Sequence, residues 1–270
     1  VETRPVVGRG YSLIDRRSVT LADGRCVFAK LAVTDETAGF LRDEHAVYSR
    51  LGASFLPKLL GWDDGDRPLL VIEDLSDAHW PPPWRPGDVE AVTATLAQLR
   101  TCTPPDSLAR VESDRAELTR WPLVAADPEP LLTVGVCGAE WLDAHLPALI
   151  RAAEAALLDG DHLLHLDVRS DNICIRDGRA MLIDWNWAMV GNPDLDLAGW
   201  LPSLEAEGGP APEQLLPDAP ELASLMAGFF ASYAGLPPPE FAPRVREVQK
   251  SQLRTALPWA ARALGLPPPS

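Results

Sequence analysis

The segment 164–198, LHLDVRSDNICIRDGRAMLIDWNWAMVGNPDLDLA, sets Asp167, Asn172, Asp184 and Asp196 at intervals that suit a site built around a metal ion and a phosphate. Its middle, NICIRDGRAMLIDW, reads as two apolar strands joined by Asp177-Gly178, a strong signal for a tight hairpin. The hairpin returns Asp184 toward Asn172, which lies twelve residues before it. A carboxylate ending an apolar strand is costly to bury unless it is paired or bound to a cation. Asp167 and Asn172 share one short loop. There a carboxylate can meet an acceptor hydroxyl while an amide five residues on turns to the cation.

Working toward the N-terminus, VTL and CVFAKLA read as strands separated by the turn ADG. Lys30 ends the apolar run CVFAK. The chain has 3 lysines against 21 arginines, so a lysine inside a strand is not casual. A lysine there suits the α- and β-phosphates of a nucleotide. Residues 36–51 follow a helical period, with Phe40, Leu41, Val47, Tyr48 and Leu51 on one face and Gly52 as the stop. Glu44 on that helix is the natural ion-pair partner of Lys30, with Glu36 in reserve. PLLVIEDL (68–75) is a further apolar strand.

The three consecutive prolines of DAHWPPPWRPG (77–87) forbid both helix and central strand, so a boundary is expected there. Beyond it, helices are expected over 88–100, 139–158 (with Pro147 starting a second segment), 219–234 and 240–264. Proline-rich loops are expected at 122–130 and 208–220. The reading is an α+β chain: a small β-rich part, residues 1–76, then a larger mainly helical part, residues 77–270.

With these residues in place, the chain resembles the aminoglycoside phosphotransferase family of kinase-like enzymes. HLDVRSDN resembles the family's H-G-D-L-H-P-x-N loop, LIDW its I-D-F/W motif, and GNPDLDLA its G-D-P-x-x-D-L-A segment. YSRLGASFLPKLLGW and LLVIEDL are similar to its helix-to-strand and hinge segments. The likeness spans roughly residues 5–200.

It implies a protein-kinase-like bilobal fold with ATP or GTP as co-substrate and Mg²⁺ as the ion. It also implies that Asp167 orients the acceptor hydroxyl and that Asn172 and Asp184 bind metal. Lys30, steadied by Glu44, would hold phosphates, and the backbone of Glu73–Leu75 would pair with the base. His165 and Asp196 would buttress the loop. Leu166, Arg169 and Trp185 depart from the family's usual Gly, His and Phe; Arg169 is a candidate for contacting the γ-phosphate. VVGRGYSL offers Gly8, Gly10 and Ser12 to the phosphates, but no full G-x-G-x-x-G.

Only twelve residues separate Asp184 from Asp196, and no A-P-E follows. That leaves no room for the segment on which protein kinases dock a peptide, so a small-molecule acceptor is expected. Ala180–Pro243 contains no Lys, Arg or His but nine Asp and Glu residues, which would draw a cationic hydroxyl compound such as an aminoglycoside. Trp185, Trp187 and Trp200 could instead stack on a quaternary ammonium or an apolar ring. A macrolide, choline or ethanolamine, homoserine or a sugar are rival acceptors. A regulatory nucleotide-binding pseudokinase is the rival class, although such a module has no need of Asp167.

A net charge of −15 disfavours nucleic acid and anionic membranes as partners. No run of about eighteen apolar residues could span a bilayer. Cys26, Cys102, Cys137 and Cys174 have no metal-ligand spacing and suit reduced thiols in a cytoplasmic protein, monomeric or homodimeric.

Overall fold

Alternation along the N-terminal strands decides which side chains turn inward. In the computed structural model, which describes residues 2–5, 13–240 and 242–270, these strands are β1 (Glu2–Pro5), β2 (Asp15–Thr20) and β3 (Cys26–Leu31). Helix α1 (Asp35–Arg50) follows, then β4 (Leu59–Asp63) and β5 (Leu69–Glu73). The five strands form one antiparallel sheet in the order β1-β2-β3-β5-β4. The expected turn between β2 and β3 is closed by a Leu21–Arg25 backbone hydrogen bond of 2.8 Å, with Gly24 at φ +85°.

α1 starts where its local chemistry says it should. The Thr34 side chain accepts from the Thr37 amide, the Thr37 hydroxyl bonds back to the Thr34 amide, and Asp35 and Glu36 occupy the first turn. Its buried stripe is Thr37, Ala38, Leu41, Glu44, Val47 and Tyr48. A glutamate in the middle of that stripe requires a partner inside.

The chain divides into two compact units, Val1–Leu108 with His162–Met189, and Ala109–Asp161 with Val190–Ser270. The first also holds α2 (Asp88–Leu99), β6 (His162–Leu164) and the hairpin β7 (Ile173–Arg176)–β8 (Arg179–Leu182). Asp177 and Gly178 turn that hairpin at φ +52° and +71°, the left-handed pair such a turn demands. The Phe55 carbonyl accepts from the Leu182 amide (2.9 Å) and the Thr95 hydroxyl donates to the Ala180 carbonyl (3.0 Å). The proline segment 77–87 lies within this unit.

The second unit is helical: α3 (Arg115–Leu118), α4 (Trp121–Ala126), α5 (Glu129–Val134), α6 (Ala139–Glu154), α7 (Asp194–Ala206), α8 (Pro212–Leu215), α9 (Pro220–Ala234) and α10 (Val245–Ala263). Here prolines mislead a reading of the sequence. The stretches 122–130 and 208–220 contain helices rather than only loops, because Pro122, Pro130 and Pro212 sit at the first helical positions, where no amide hydrogen is needed. Pro147 does not divide α6, whose buried stripe of Trp141, Leu142, Leu149 and Ala153 holds it as one helix. α9 packs against α4, α6 and α10. At Gly228 an added Cβ would stand 2.6 Å from the Trp121 ring, whose indole donates to the Ser224 carbonyl at 2.9 Å. Among the described residues, no helix is long and apolar enough to cross a membrane.

Candidate active site

Three residues far apart in sequence meet in the first unit. Lys30 on β3 and Glu44 on α1 are both almost fully buried, and the lysine Nζ donates to the glutamate oxygens at 2.8 and 2.9 Å. Lys30 also bonds directly to Asp184, which follows β8. Burial alone would push the Lys30 ammonium down, but Asp184 and Glu44 together raise it above its ordinary value. Burial would likewise raise the Asp184 carboxyl; Lys30 and then Arg16 override it and hold it at about 2. Glu44 shifts upward, because burial outweighs the pull of Lys30. Glu36, the reserve partner, is exposed in the first turn of α1.

The loop between β6 and β7 carries the rest. The Asn172 amide nitrogen donates to the Asp167 carboxylate (2.8 Å) and to the Asp167 carbonyl (2.9 Å). That leaves its Oδ1 as the atom able to face a cation. His165 accepts the Asp167 amide at Nδ1 (3.2 Å), so its Nε2 carries the proton and donates to the Ile183 carbonyl at 2.8 Å. The ring packs edge-on against Trp185, 4.5 Å away. Leu166, where the family has Gly, adopts φ +58°, a left-handed conformation that a leucine takes only under local strain. Asp184 is also left-handed, at φ +61°.

Arg169 bridges two carboxylates, meeting Asp167 at 3.0 Å and Asp171 at 3.0 and 3.1 Å. Burial raises the Asp167 carboxyl to about 6, more than Arg169 lowers it. This has a consequence for stability. A carboxylate whose folded pKa lies above its unfolded value favours the folded state at low pH and gives that up as pH rises through the folded pKa. In metal-free buffer, the Tm of Asp167→Asn relative to wild type is therefore expected to climb between pH 4 and 7; a flat difference would remove the shift.

The Glu73 side chain accepts from Arg176 (2.8 Å), and the Glu73 amide donates to the Lys58 carbonyl (2.9 Å). The Leu75 carbonyl accepts from the Ala78 amide and the Trp80 indole, each at 3.1 Å. Asp196 is buried in the first turn of α7, in the second unit. Gly8, Gly10 and Ser12 lie outside the described residues. Trp185 and Trp200 are fully buried and present no face to a ligand, whereas Trp187 is 53% exposed beside Phe40.

Two residues escaped the sequence reading. Arg16 on β2 is 8% exposed, stands opposite Lys30 in the sheet and lies 3.9 Å from the second Asp184 oxygen. Its signal was the pair Arg16-Arg17 in an alternating strand, where one must face inward. Tyr48, one turn beyond Glu44, is buried beside it; burial and then the Glu44 and Asp184 charges push its phenol well above its ordinary value.

The donor set of Asn172 and Asp184 is oxygen-only and small, the type that a divalent ion completes with phosphate oxygens and water. Among the described residues no group of three or more His, Cys, Asp or Glu is arranged to hold a metal by itself. A buried lysine–glutamate pair beside an aspartate, facing a loop of Asp and Asn, is the arrangement of the protein-kinase-like class. Residues 12–219 match the model of the phosphotransferase enzyme family, and the chain belongs to that family of enzymes, which act on hydroxyl groups. A search of the curated proteins gave no significant match.

Solved structures of similar fold include a choline/ethanolamine kinase family protein from Mesorhizobium loti (TM-score 0.60, 15% identity, covering 98% of this chain and 91% of that one). An ethanolamine kinase from Plasmodium vivax has a TM-score of 0.53 at 11% identity, over 98% and 82% of the two chains. The streptomycin–ATP complex of APH(2″)-IIa has a TM-score of 0.51 at 14% identity, over 98% and 90%. At these identities the likeness concerns the fold.

Proposed function

We propose that the chain transfers the γ-phosphoryl group of ATP or GTP to a hydroxyl of a small, positively charged molecule, with Mg²⁺ as the divalent ion. The observation that carries this reading is the meeting of Lys30 with Glu44 and Asp184, 14 and 154 positions away in sequence. Lys30 and Glu44 are almost wholly buried, where charges are costly to keep, and Asp184 is largely so, at 18% exposure.

Lys30, oriented by Glu44, presents a fixed ammonium to the α- and β-phosphates. Asp184, ionised across the physiological range, and Asn172 through its carbonyl oxygen would hold the ion. When bound, magnesium neutralises charge on the phosphate oxygens. Asp167 orients the acceptor hydroxyl and takes its proton, while Asn172 and Arg169 hold the carboxylate in place. Arg169 is a candidate for contacting the γ-phosphate, His165 stiffens the loop, and backbone groups around Glu73–Leu75 would receive the base. The transition state is loose, so positioning and charge neutralisation supply most of the rate. A cytoplasmic site of action would suit ATP as co-substrate.

The acceptor's positive charge is inferred from Ala180–Pro243, which lacks any basic residue and keeps Asp218, Glu221 and Glu240 exposed. Incubation with Mg-ATP or Mg-GTP and a panel of aminoglycosides, macrolides, choline, homoserine and sugars, read by product mass, tests both parts. One strong cationic product, lost in Asp167→Asn, is expected. A neutral or anionic best acceptor would overturn the charge assignment. Tight nucleotide binding with no product across the panel would favour a nucleotide-binding module instead.

A further inference from the structure

We propose that the segment after β5 selects adenine over guanine, with the Trp80 indole as the group that decides; this rests on the kinase reading above, in which Glu73–Leu75 receives the base. The observation is a carbonyl already in use. The Leu75 oxygen accepts both the Ala78 amide and the Trp80 Nε1–H, each at 3.1 Å. A backbone carbonyl has two lone pairs, and these two donors take both. Leu75 is 5% exposed, and among the described residues its amide donates to no acceptor. The segment therefore offers a base a donor at Leu75, but no acceptor there.

The surroundings hold that oxygen where it is. Its bond to Ala78 closes the turn 75–78, which aims the carbonyl back into the turn. His79 exchanges two backbone hydrogen bonds with Ile175 on β7, at 2.9 and 2.7 Å, so the residue before Trp80 is tied down. The Trp80 ring, with Ala78 and Ile183, packs on a small buried cluster of Leu75, Cys174 and Met181. On the other side, the Asp74 carboxylate accepts from the Ser76 amide and from the Ser18 hydroxyl of β2, both at 2.9 Å. A carbonyl fixed from both sides turns to a new partner only by breaking some of these bonds.

The two purines ask for different partners. Adenine presents an amino donor at N6 and an acceptor at N1, whereas guanine presents an acceptor at O6, a donor at N1–H and a second donor at its 2-amino group. In chain order the segment carries an acceptor at the Glu73 carbonyl, a donor at the Leu75 amide and an acceptor at the Leu75 oxygen. Adenine draws on the first two, giving N6–H to Glu73 and taking the Leu75 amide at N1. Guanine needs the last two, taking the Leu75 amide at O6 and giving N1–H to the Leu75 oxygen. That oxygen is full. To reach it, guanine must displace the indole or the turn amide, and a buried donor left without a partner costs more than an average hydrogen bond contributes.

Binding of ATP, GTP and inosine triphosphate, each with Mg²⁺, to wild type and Trp80→Phe decides the matter, with Tm as the check on folding. Inosine triphosphate has guanine's O6 and N1–H but lacks the 2-amino group. In wild type, GTP and inosine triphosphate are expected to bind about 10–100-fold more weakly than ATP. Trp80→Phe keeps an apolar ring on the cluster and removes the donor, which frees one lone pair of the Leu75 oxygen. It is expected to narrow both gaps by about 3–10-fold, through tighter GTP and inosine triphosphate, with ATP held within about twofold. GTP within about threefold of ATP in wild type would overturn the proposal. So would inosine triphosphate that binds like ATP while GTP is rejected, which marks crowding at the 2-amino group instead. Gaps unchanged in the variant, or equal losses for all three nucleotides, would overturn it and leave Trp80 a packing role. Where the variant does not fold, the three nucleotides on wild type decide alone. A wild-type protein that binds none of them would overturn the proposal together with the kinase reading, so the two failures are told apart.

Discussion

Asp167→Asn is expected to lower kcat by about 10²–10⁴-fold and to leave nucleotide affinity nearly unchanged. Asn keeps the size of the side chain and can still meet Asn172 and Arg169, the two groups that hold the carboxylate at 2.8 and 3.0 Å. What it lacks is a site for the hydroxyl proton. An interaction made only as the phosphoryl group transfers shows up in kcat and in kcat/KM equally, with KM little altered. Steady-state kinetics with both substrates varied, and nucleotide binding measured separately, test this partition. Turnover within about tenfold of wild type would remove Asp167 from its role.

Asp184→Ala should abolish turnover and also destabilise the protein, and the second effect can be read without any substrate. Removing the carboxylate leaves Lys30, 1% exposed, short of one of its two counter-charges. Breaking a buried pair from one side costs about 3–5 kcal/mol. Glu44 remains on Lys30, which places the expected loss toward the lower end of that range. The double variant Lys30→Met with Asp184→Ala is expected to lose less stability than the two single losses added, because the direct Lys30–Asp184 pair is then lost only once. Glu44, left buried without its lysine, keeps it below wild type, and activity is absent. Denaturant unfolding of the single and double variants measures the coupling. An active Asp184→Ala enzyme would refute the metal assignment, and additive stability losses would refute the pairing.

Some of this was legible because it rests on short-range chemistry. Asp177-Gly178 specifies a left-handed turn by itself, whatever surrounds it. Thr34 and Thr37 cap a helix through bonds that never leave the first turn. The spacing of His165, Asp167 and Asn172 is likewise a property of one loop, which closes on itself through the Asn172 amide and the His165 ring. The short helices α4, α5 and α8 were not legible in the same way. Pro122, Pro130 and Pro212 permit either a loop or a helix start, and packing against α9 and α7 chooses between them.

The partners of the site divide along the same line. The sequence by itself determined that an aspartate, an asparagine and a second aspartate would lie on one loop and hairpin, with a strand lysine to complement them. Only the tertiary structure decided that Glu44 rather than Glu36 meets that lysine, and that Arg16 rather than Arg17 turns inward. It also decided that Trp187 rather than Trp185 reaches solvent. Each of these choices depends on strand register or on helix rotation against the sheet. Those are settled by burying apolar area between segments distant in sequence, and no local pattern of residues records the outcome.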